Sequence, residues 1–93
     1  MNVRFKSFGS LRRVIGTPIL ELEVVEGTTV LEVVEKVIEM WGDSARQLIM
    51  NGHEISGNMI ILLNMKDVNT IGGTSIAVKP DDEIAILPHV QGG

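Results

Sequence analysis

The clearest signal in the sequence is a helical repeat of hydrophobic residues in the second quarter of the chain. Thr29 is suited to cap the helix, and Glu32 three residues later completes the pattern of a capping box. Charged residues occupy the opposite face, where Glu32 and Lys36 form a favourable i,i+4 pair. Gly42 predicts the end of the helix, because glycine is common just after the last helical turn. The residues of the apolar face are Val30, Val33, Val34, Val37, Ile38 and Trp41. This pattern predicts a helix that lies on a sheet.

Four other segments have the pattern of β-strands. Ile19–Val25 alternates leucine or valine with glutamate, which is typical of a half-buried strand in an antiparallel pair. Val3–Phe8 also alternates apolar and polar residues. Met59–Asn64 is apolar on both faces, so we expect it to be a central strand that is covered on both sides. Glu83–Leu87 is predicted to be the last strand and leads directly into the tail.

Shorter segments between the strands have weaker signals. Leu11, Val14 and Ile15 have the spacing of one helical turn, which Gly16 would end. Residues 43–50 are predicted to form a second short helix or an irregular segment. The internal pair Gly72-Gly73 is predicted to be a turn, within a connector that is rich in loop-forming residues.

The order of the elements predicts the architecture. A hairpin, one crossover helix and two later strands indicate an α+β chain with the β-grasp (ubiquitin-like) plan, a mixed β-sheet with one main helix packed on one face. The 93 residues have room for one core, so we expect a single domain over residues 1–93, with residues 88–93 as an extended C-terminal tail. With one main helix, the second face of the sheet is left for a partner.

Composition narrows the range of functions. The net charge of −4 disfavours nucleic acid as a partner, and the basic doublet Arg12-Arg13 is interpreted as a solvated turn. Absence of cysteine excludes disulfides, thiolate ligands and a cysteine nucleophile, and the two histidines, His53 and His89, do not suggest a metal site. The N-terminus lacks the apolar stretch of a signal peptide, and the longest apolar run is too short for a bilayer. We therefore expect a cytoplasmic protein without membrane contacts.

The last third of the chain carries a family resemblance. Ile61–Asn64 with the following turn, and Lys79–Pro88 with its Asp-Asp-Glu start and hydrophobic strand, resemble segments of the ubiquitin-related sulfur carriers of the MoaD/ThiS family. Val90–Gly93 matches the terminal Val-x-Gly-Gly of that family, and Phe5–Gly16 is similar to its start. The chain looks most like the small subunit of molybdopterin synthase.

The resemblance implies a function for the C-terminal carboxylate. A ubiquitin-activating-type adenylyltransferase would consume ATP to adenylate Gly93, and a sulfurtransferase would supply sulfur for a thiocarboxylate. The carrier would then complete the active site of the larger molybdopterin synthase subunit, without being an enzyme or binding a cofactor itself. Gly92 and Gly93 suit a narrow tunnel, because residues without a Cβ adopt backbone angles closed to others.

The partner contacts are expected at the tail and on the uncovered sheet face. Val90 would anchor the tail in an apolar slot, and Pro88 would stiffen its exit from the sheet. The last strand and Met59–Leu63 have apolar side chains left over once the helix side is covered. The residues predicted to contact partners are Phe8, Leu87, Pro88, His89, Val90 and Gln91.

Two alternatives remain open on the sequence alone. The protein could be a ubiquitin-like modifier, joined through Gly93 to lysines of other proteins or serving tRNA thiolation. It could also be a non-covalent β-grasp binding module whose tail is incidental. Among the other residues, Trp41 is expected in the core and His53 on the surface.

Overall fold

A mixed sheet with helices on one of its faces forms the fold, and the computed structural model describes residues 1–88. This arrangement confirms the predicted α+β, β-grasp architecture. In chain order the elements are β1 (Asn2–Ser7), α1 (Gly9–Ile15), β2 (Ile19–Glu23), α2 (Val30–Trp41), α3 (Asp43–Ile49), β3 (Met50–Asn51), β4 (Glu54–Ile55), β5 (Met59–Leu63), β6 (Lys66–Asp67), a 3₁₀-helix (Val68–Thr70) and β7 (Glu83–Pro88). Both weakly indicated helices, α1 and α3, are therefore present.

The sheet has five strands in the order β2-β1-β7-β5-β6. β1 and β7 are parallel, and the other neighbours are antiparallel. A separate two-stranded ribbon is formed by β3 and β4. The first and last strands of the described chain thus lie side by side, and the crossover elements pack on one face.

The central strand is β7, and the expectation that Met59–Asn64 would be central is wrong. β7 pairs along its length with β5 and over residues 83–86 with β1, whereas β5 has only the two-residue β6 on its other side. The apolar run of β5 has a different cause. Ile61 and Leu63 face the core, while Ile60 and Leu62 are half-buried on the opposite face. A run of apolar residues shows that both faces of a strand are apolar, but it does not show which strands pair with it.

One core lies between the sheet and the three α-helices found within residues 1–88. α2 contributes its apolar stripe, as its spacing predicts, and α1 and α3 add two buried residues each. From the sheet, Val3, Phe5, Ile84 and Ile86 are at most 1% exposed. Each fully buried side chain of this size contributes about 1.5–3 kcal/mol. None of the helices among these residues is long and apolar enough to span a membrane.

Trp41 does not lie in the core, contrary to the prediction. It is the last residue of α2, and its half-buried side chain packs against the margin of the core. Gly42 ends the helix immediately afterwards, so Trp41 lies in its last turn rather than in the middle of the apolar stripe. Helical spacing places a residue on the apolar face, but its position along the helix axis decides how fully it is covered.

The start of α2 has the predicted capping box. The Thr29 hydroxyl accepts a hydrogen bond from the backbone N–H of Glu32 at 3.2 Å, and a Glu32 carboxylate oxygen accepts one from the N–H of Thr29 at 3.0 Å. These two bonds satisfy donors that a helix N-terminus leaves without partners inside the helix.

The connector between the 3₁₀-helix and β7 closes the same helix end. The backbone N–H groups of Val30 and Leu31 donate to the carbonyls of Ile76 and Thr74, at 2.9 and 3.0 Å. Gly72-Gly73 turns the connector toward α2 with φ angles of 123° and 89°, which favour glycine and confirm the predicted turn. The connector thus completes the hydrogen bonding of the first turn of α2.

A two-residue turn joins β5 to β6 and also holds the start of β7. Asn64 and Met65 both have positive φ, 50° and 72°, as in the primed turns of β-hairpins. The side-chain amide of Asn64 donates to an Asp82 carboxylate oxygen at 2.9 Å, and its carbonyl oxygen accepts from the N–H of Glu83 at 2.9 Å. The turn therefore attaches the end of β5 to the beginning of β7.

Thr29→Ala is expected to lower the free energy of unfolding by about 1 kcal/mol, because it removes the hydroxyl of the capping box. Thr29→Ser keeps the hydroxyl and should retain most of that stability. Urea denaturation followed by circular dichroism measures both values. Equal stability of the alanine and serine variants would contradict the role given to the capping box.

Met65→Gly is expected to raise the free energy of unfolding by about 1 kcal/mol, because glycine adopts the left-handed backbone angles of this position without the steric cost that methionine has. The Met65 side chain is exposed, so its removal costs little packing. Met40→Gly is the matched control, because Met40 is also exposed but lies in α2, where glycine costs about 1 kcal/mol. The same chemical change should thus shift the urea midpoint in opposite directions. A loss of stability at both positions would show that the turn is not strained.

Candidate docking face at the tail exit

β7 leads the chain out of the centre of the sheet. Ile84 and Ile86 are fully buried, and the strand continues through Pro88, which is exposed and lies opposite Met59. Pro88 is therefore the last residue of β7, one residue beyond the predicted strand end, rather than the first residue of the tail. The pairing of β7 with β1 ends at Ile86, which lies opposite Ser7. Proline has no backbone N–H, but at position 88 no hydrogen bond to β1 is lost. We call the end of β7 at Pro88 the tail exit.

The remaining predicted tail residues, His89, Val90, Gln91, Gly92 and Gly93, lie outside the described residues. Their roles stay predictions. The other three predicted contact residues, Phe8, Leu87 and Pro88, are placed by the structure at the same end of the sheet.

The face of the sheet opposite the helices, called the outer face here, has an apolar row beside the tail exit. Leu87 pairs with Ile60 across β7 and β5. Phe8 lies one residue beyond Ser7, whose register partner is Ile86, and its backbone is still extended with φ −139° and ψ 157°. Phe8 therefore continues the row on the β1 side of Leu87. The three side chains of this apolar row, Phe8, Leu87 and Ile60, are all half-buried.

Polarity rises along the outer face with distance from the tail exit. In the next row, Ala85 lies between Lys6 and Leu62, so this row contains one charged and two apolar side chains. In the row beyond it, Arg4 lies between Glu21 and Glu83. Lys6 and Glu83 connect the two rows by an ion pair with 4.0 Å between Nζ and Oε1. The face thus offers an apolar contact area at the tail exit and a charged area at the far end.

Helix α1 begins next to the tail exit. The alternating pattern predicted Phe8 as the last residue of β1, but Phe8 is the N-cap residue of α1. The reason is that Gly9 turns the chain with a φ of 58°. A Cβ built on Gly9 would lie 3.9 Å from Cγ of Pro88. The first turn of α1 therefore lies against the end of β7.

Arg12 also belongs to this region. From the sequence, the doublet Arg12-Arg13 is interpreted as a solvated turn, which predicts no role for Arg12 here. It lies in α1, one helical turn after Phe8, and its guanidinium carbon is 5.0 Å from the centroid of the Phe8 ring. Its Nε donates to the backbone carbonyl of Ser7 at 2.9 Å. The i,i+4 spacing of Phe8 and Arg12 is the signal that could have predicted this pair, had the helix been extended back to Gly9.

The described residues near the tail exit offer an apolar contact area and one oriented arginine. Within residues 1–88, no group of three or more histidine, aspartate or glutamate side chains is arranged to hold a metal ion. The buried polar side chain in this part of the chain is Ser7, whose hydroxyl donates to the carbonyl of Thr17 at 3.4 Å. The site therefore consists of a tail exit, an apolar row and an arginine beside them.

Solved structures of similar fold cover almost the whole chain. The small archaeal modifier protein 1 (SAMP1) of Methanosarcina acetivorans is 31% identical, with 99% of this chain and 96% of that chain covered and a TM-score of 0.82. A chain of the BexX/CysO complex from Amycolatopsis orientalis is 27% identical, with 98% and 99% covered and a TM-score of 0.77. A putative molybdopterin converting factor, subunit 1, from Pyrococcus furiosus is 19% identical, with 97% and 99% covered and a TM-score of 0.77, which shows a shared fold.

A search of curated proteins found no match. The model of the ThiS family matches residues 6–93, which is nearly the full length and includes the last two residues of β1 and every element after it. The match also includes the tail that follows β7. The chain therefore belongs to the ThiS family of ubiquitin-like sulfur carriers.

Proposed function

We propose that this protein carries sulfur as a thiocarboxylate on Gly93 and donates it as the small subunit of molybdopterin synthase. The observation that carries the proposal is the apolar row beside the tail exit, formed by Phe8, Leu87 and Ile60. A partner that covers this row is placed where the tail leaves the sheet. Family membership and the shared fold with a putative molybdopterin converting factor subunit support the assignment.

Activation of the tail requires a partner, because a free carboxylate is a poor electrophile. In the proposed first step, a carboxylate oxygen of Gly93 attacks the α-phosphate of ATP, and pyrophosphate leaves. Sulfur at the sulfide level, supplied as HS⁻ by a sulfurtransferase, then attacks the acyl carbon. The C–O bond to the phosphate breaks, AMP leaves, and loss of the S–H proton gives the thiocarboxylate. The activating partner is a ubiquitin-activating-type adenylyltransferase, and it consumes the ATP.

The domain contributes rigidity and orientation to this chemistry. β7 is held in the sheet by two neighbours, so the point at which the tail leaves is fixed relative to the apolar row. Docking of the row on the larger synthase subunit would hold the thiocarboxylate close to its acceptor. Such positioning converts a bimolecular transfer into an effectively intramolecular one.

A second candidate function is conjugation to other proteins. The 31% identity to an archaeal modifier protein favours it, because that similarity covers 99% of this chain. In this case the same adenylated Gly93 would be joined to the amino groups of target lysines. Both functions use the same activated carboxylate, so the product decides between them.

Wild-type protein incubated with the activating enzyme, ATP and a sulfur donor is expected to gain the mass of one oxygen-to-sulfur exchange at the C-terminus. Removal of Gly93 should abolish this gain, because the reacting carboxylate is displaced by one residue. The thermal unfolding curve of the truncated protein is the control, and it should match that of the wild type.

The same mass spectra separate the alternatives. Adducts on target lysines with a Gly-Gly remnant would favour the modifier. If the wild type formed no adenylate while remaining folded, the carrier proposal would be wrong and only a non-covalent binding module would remain.

Leu87→Asp is expected to raise the KM of the activating enzyme for this protein by about tenfold or more, since a charge would be buried in the apolar row on docking. Val25→Asp is the matched control, because Val25 is an apolar side chain that is 77% exposed and lies outside the outer-face rows. It should leave KM unchanged. Steady-state pyrophosphate exchange measures both, and equal KM values for the two variants would exclude the apolar row as the docking surface.

A further inference from the structure

The segment that surrounds the tail exit has a charge opposite to that of the whole chain. The net charge is −4, but residues 7–20 include two arginines and no acidic residue. Both arginines, Arg12 and Arg13, are exposed in α1, whose first turn lies against Pro88. A partner that approaches the tail exit therefore meets positive charge beside the apolar row.

Arg12 is oriented before any partner binds. The hydrogen bond from Nε to the Ser7 carbonyl, 2.9 Å long, holds one edge of the guanidinium. The Phe8 ring, with its centroid 5.0 Å from the guanidinium carbon, supports one face. A planar guanidinium held in this way loses little conformational entropy when it forms further hydrogen bonds.

The terminal nitrogens of Arg12 have no hydrogen-bond or ion-pair partner among residues 1–88. Three of the other lysine and arginine side chains within residues 1–88 have partners for their charged groups, whereas Arg13 and Arg46, like the terminal nitrogens of Arg12, have none there. Lys6 is paired with Glu83, Lys36 donates to the carbonyl of Glu23, and Arg4 donates to the carbonyl of Asp81. Within residues 1–88, Arg12 thus combines a fixed orientation with terminal donors that have no partner and that match the two oxygens of a carboxylate.

The position of Arg12 indicates which part of a partner it meets. Five residues follow Pro88, and an extended chain of that length spans about 17 Å at most. The active centre that receives Gly93 therefore lies within about 17 Å of Pro88, so the surface of that partner also covers the base of the tail. Arg12 is at that base, so its counterpart is a side chain on the docking surface of the partner.

We propose that Arg12 is a positioning residue that pairs with an acidic side chain on the enzyme that activates Gly93. This inference rests on the proposed function. The apolar row supplies contact area, whereas the directional pair between Arg12 and a carboxylate fixes the rotation of the domain on its partner. Charge pairs of this kind mainly affect encounter and register of a complex.

The test compares Arg12→Glu with Arg13→Glu in pyrophosphate exchange catalysed by the activating enzyme. Both variants carry the same change of charge in the same helix, but Arg13 makes no side-chain hydrogen bond or ion pair among the described residues. Arg12→Glu is expected to raise KM about tenfold or more with kcat unchanged, and Arg13→Glu to change KM by less than about twofold. Arg12→Lys should lie between the wild type and Arg12→Glu, because it keeps the charge and loses the planar fork.

Salt dependence provides the second measurement. The KM of the wild type should rise with sodium chloride, since screening weakens the pair, and the KM of Arg12→Ala should rise less. Equal KM values for the two glutamate variants would overturn the inference, as would a lower kcat accompanied by a lower melting temperature in Arg12→Glu. Absence of any exchange with the wild type would instead overturn the proposed function on which the inference rests.

Discussion

The parallel pairing of β1 with β7 determines how the sheet and the core are assembled. It brings the last strand between the first strand and β5, and it buries Ile84 and Ile86 completely. The core cannot close until residues 83–88 are in place, because α2 packs on a sheet whose centre is β7. Contacts so distant in sequence slow folding. In return, the tail exit is set by the most buried part of the molecule.

Register couples this core to the outer face. The pairing that directs Ile84 and Ile86 inward also places Leu87 outward, next to Ile60. A slip of β7 by one residue would exchange the two faces and destroy the core and the apolar row together. A partner that recognises the row therefore recognises the folded state, and no separate device is required to keep the tail exit beside it.

Local patterns predicted the longer elements well, but not the two-residue strands β3, β4 and β6 or the 3₁₀-helix. The other errors concern relations between elements. The capping box at Thr29 and the stripe of α2 are encoded within one helical turn and one helix, so they could be predicted. The central position of β7 and the coverage of Trp41 depend on neighbours distant in sequence. The pair of Phe8 and Arg12 is local, but it depended on recognising that α1 begins at Gly9. Of the candidate site, the sequence indicated Phe8, Leu87, Pro88 and the strand that contains Ile60. The structure showed that Ile60 is the residue of that strand beside Leu87, and it added Arg12.

The two ends of β7 are held by different forces, and this difference suits a carrier. At its start, Asn64 bonds to Asp82 and to Glu83, so polar contacts fix the register before the strand enters the core. At its end, apolar contact and Pro88 take over, and these leave backbone and side chains available to a partner. Hydrogen bonds are directional and set register, whereas apolar contacts tolerate exchange of one neighbour for another. In the proposed function, the domain must keep its own shape while it presents a carboxylate to its partners. This order serves that function, since the directional contacts lie farthest from the tail.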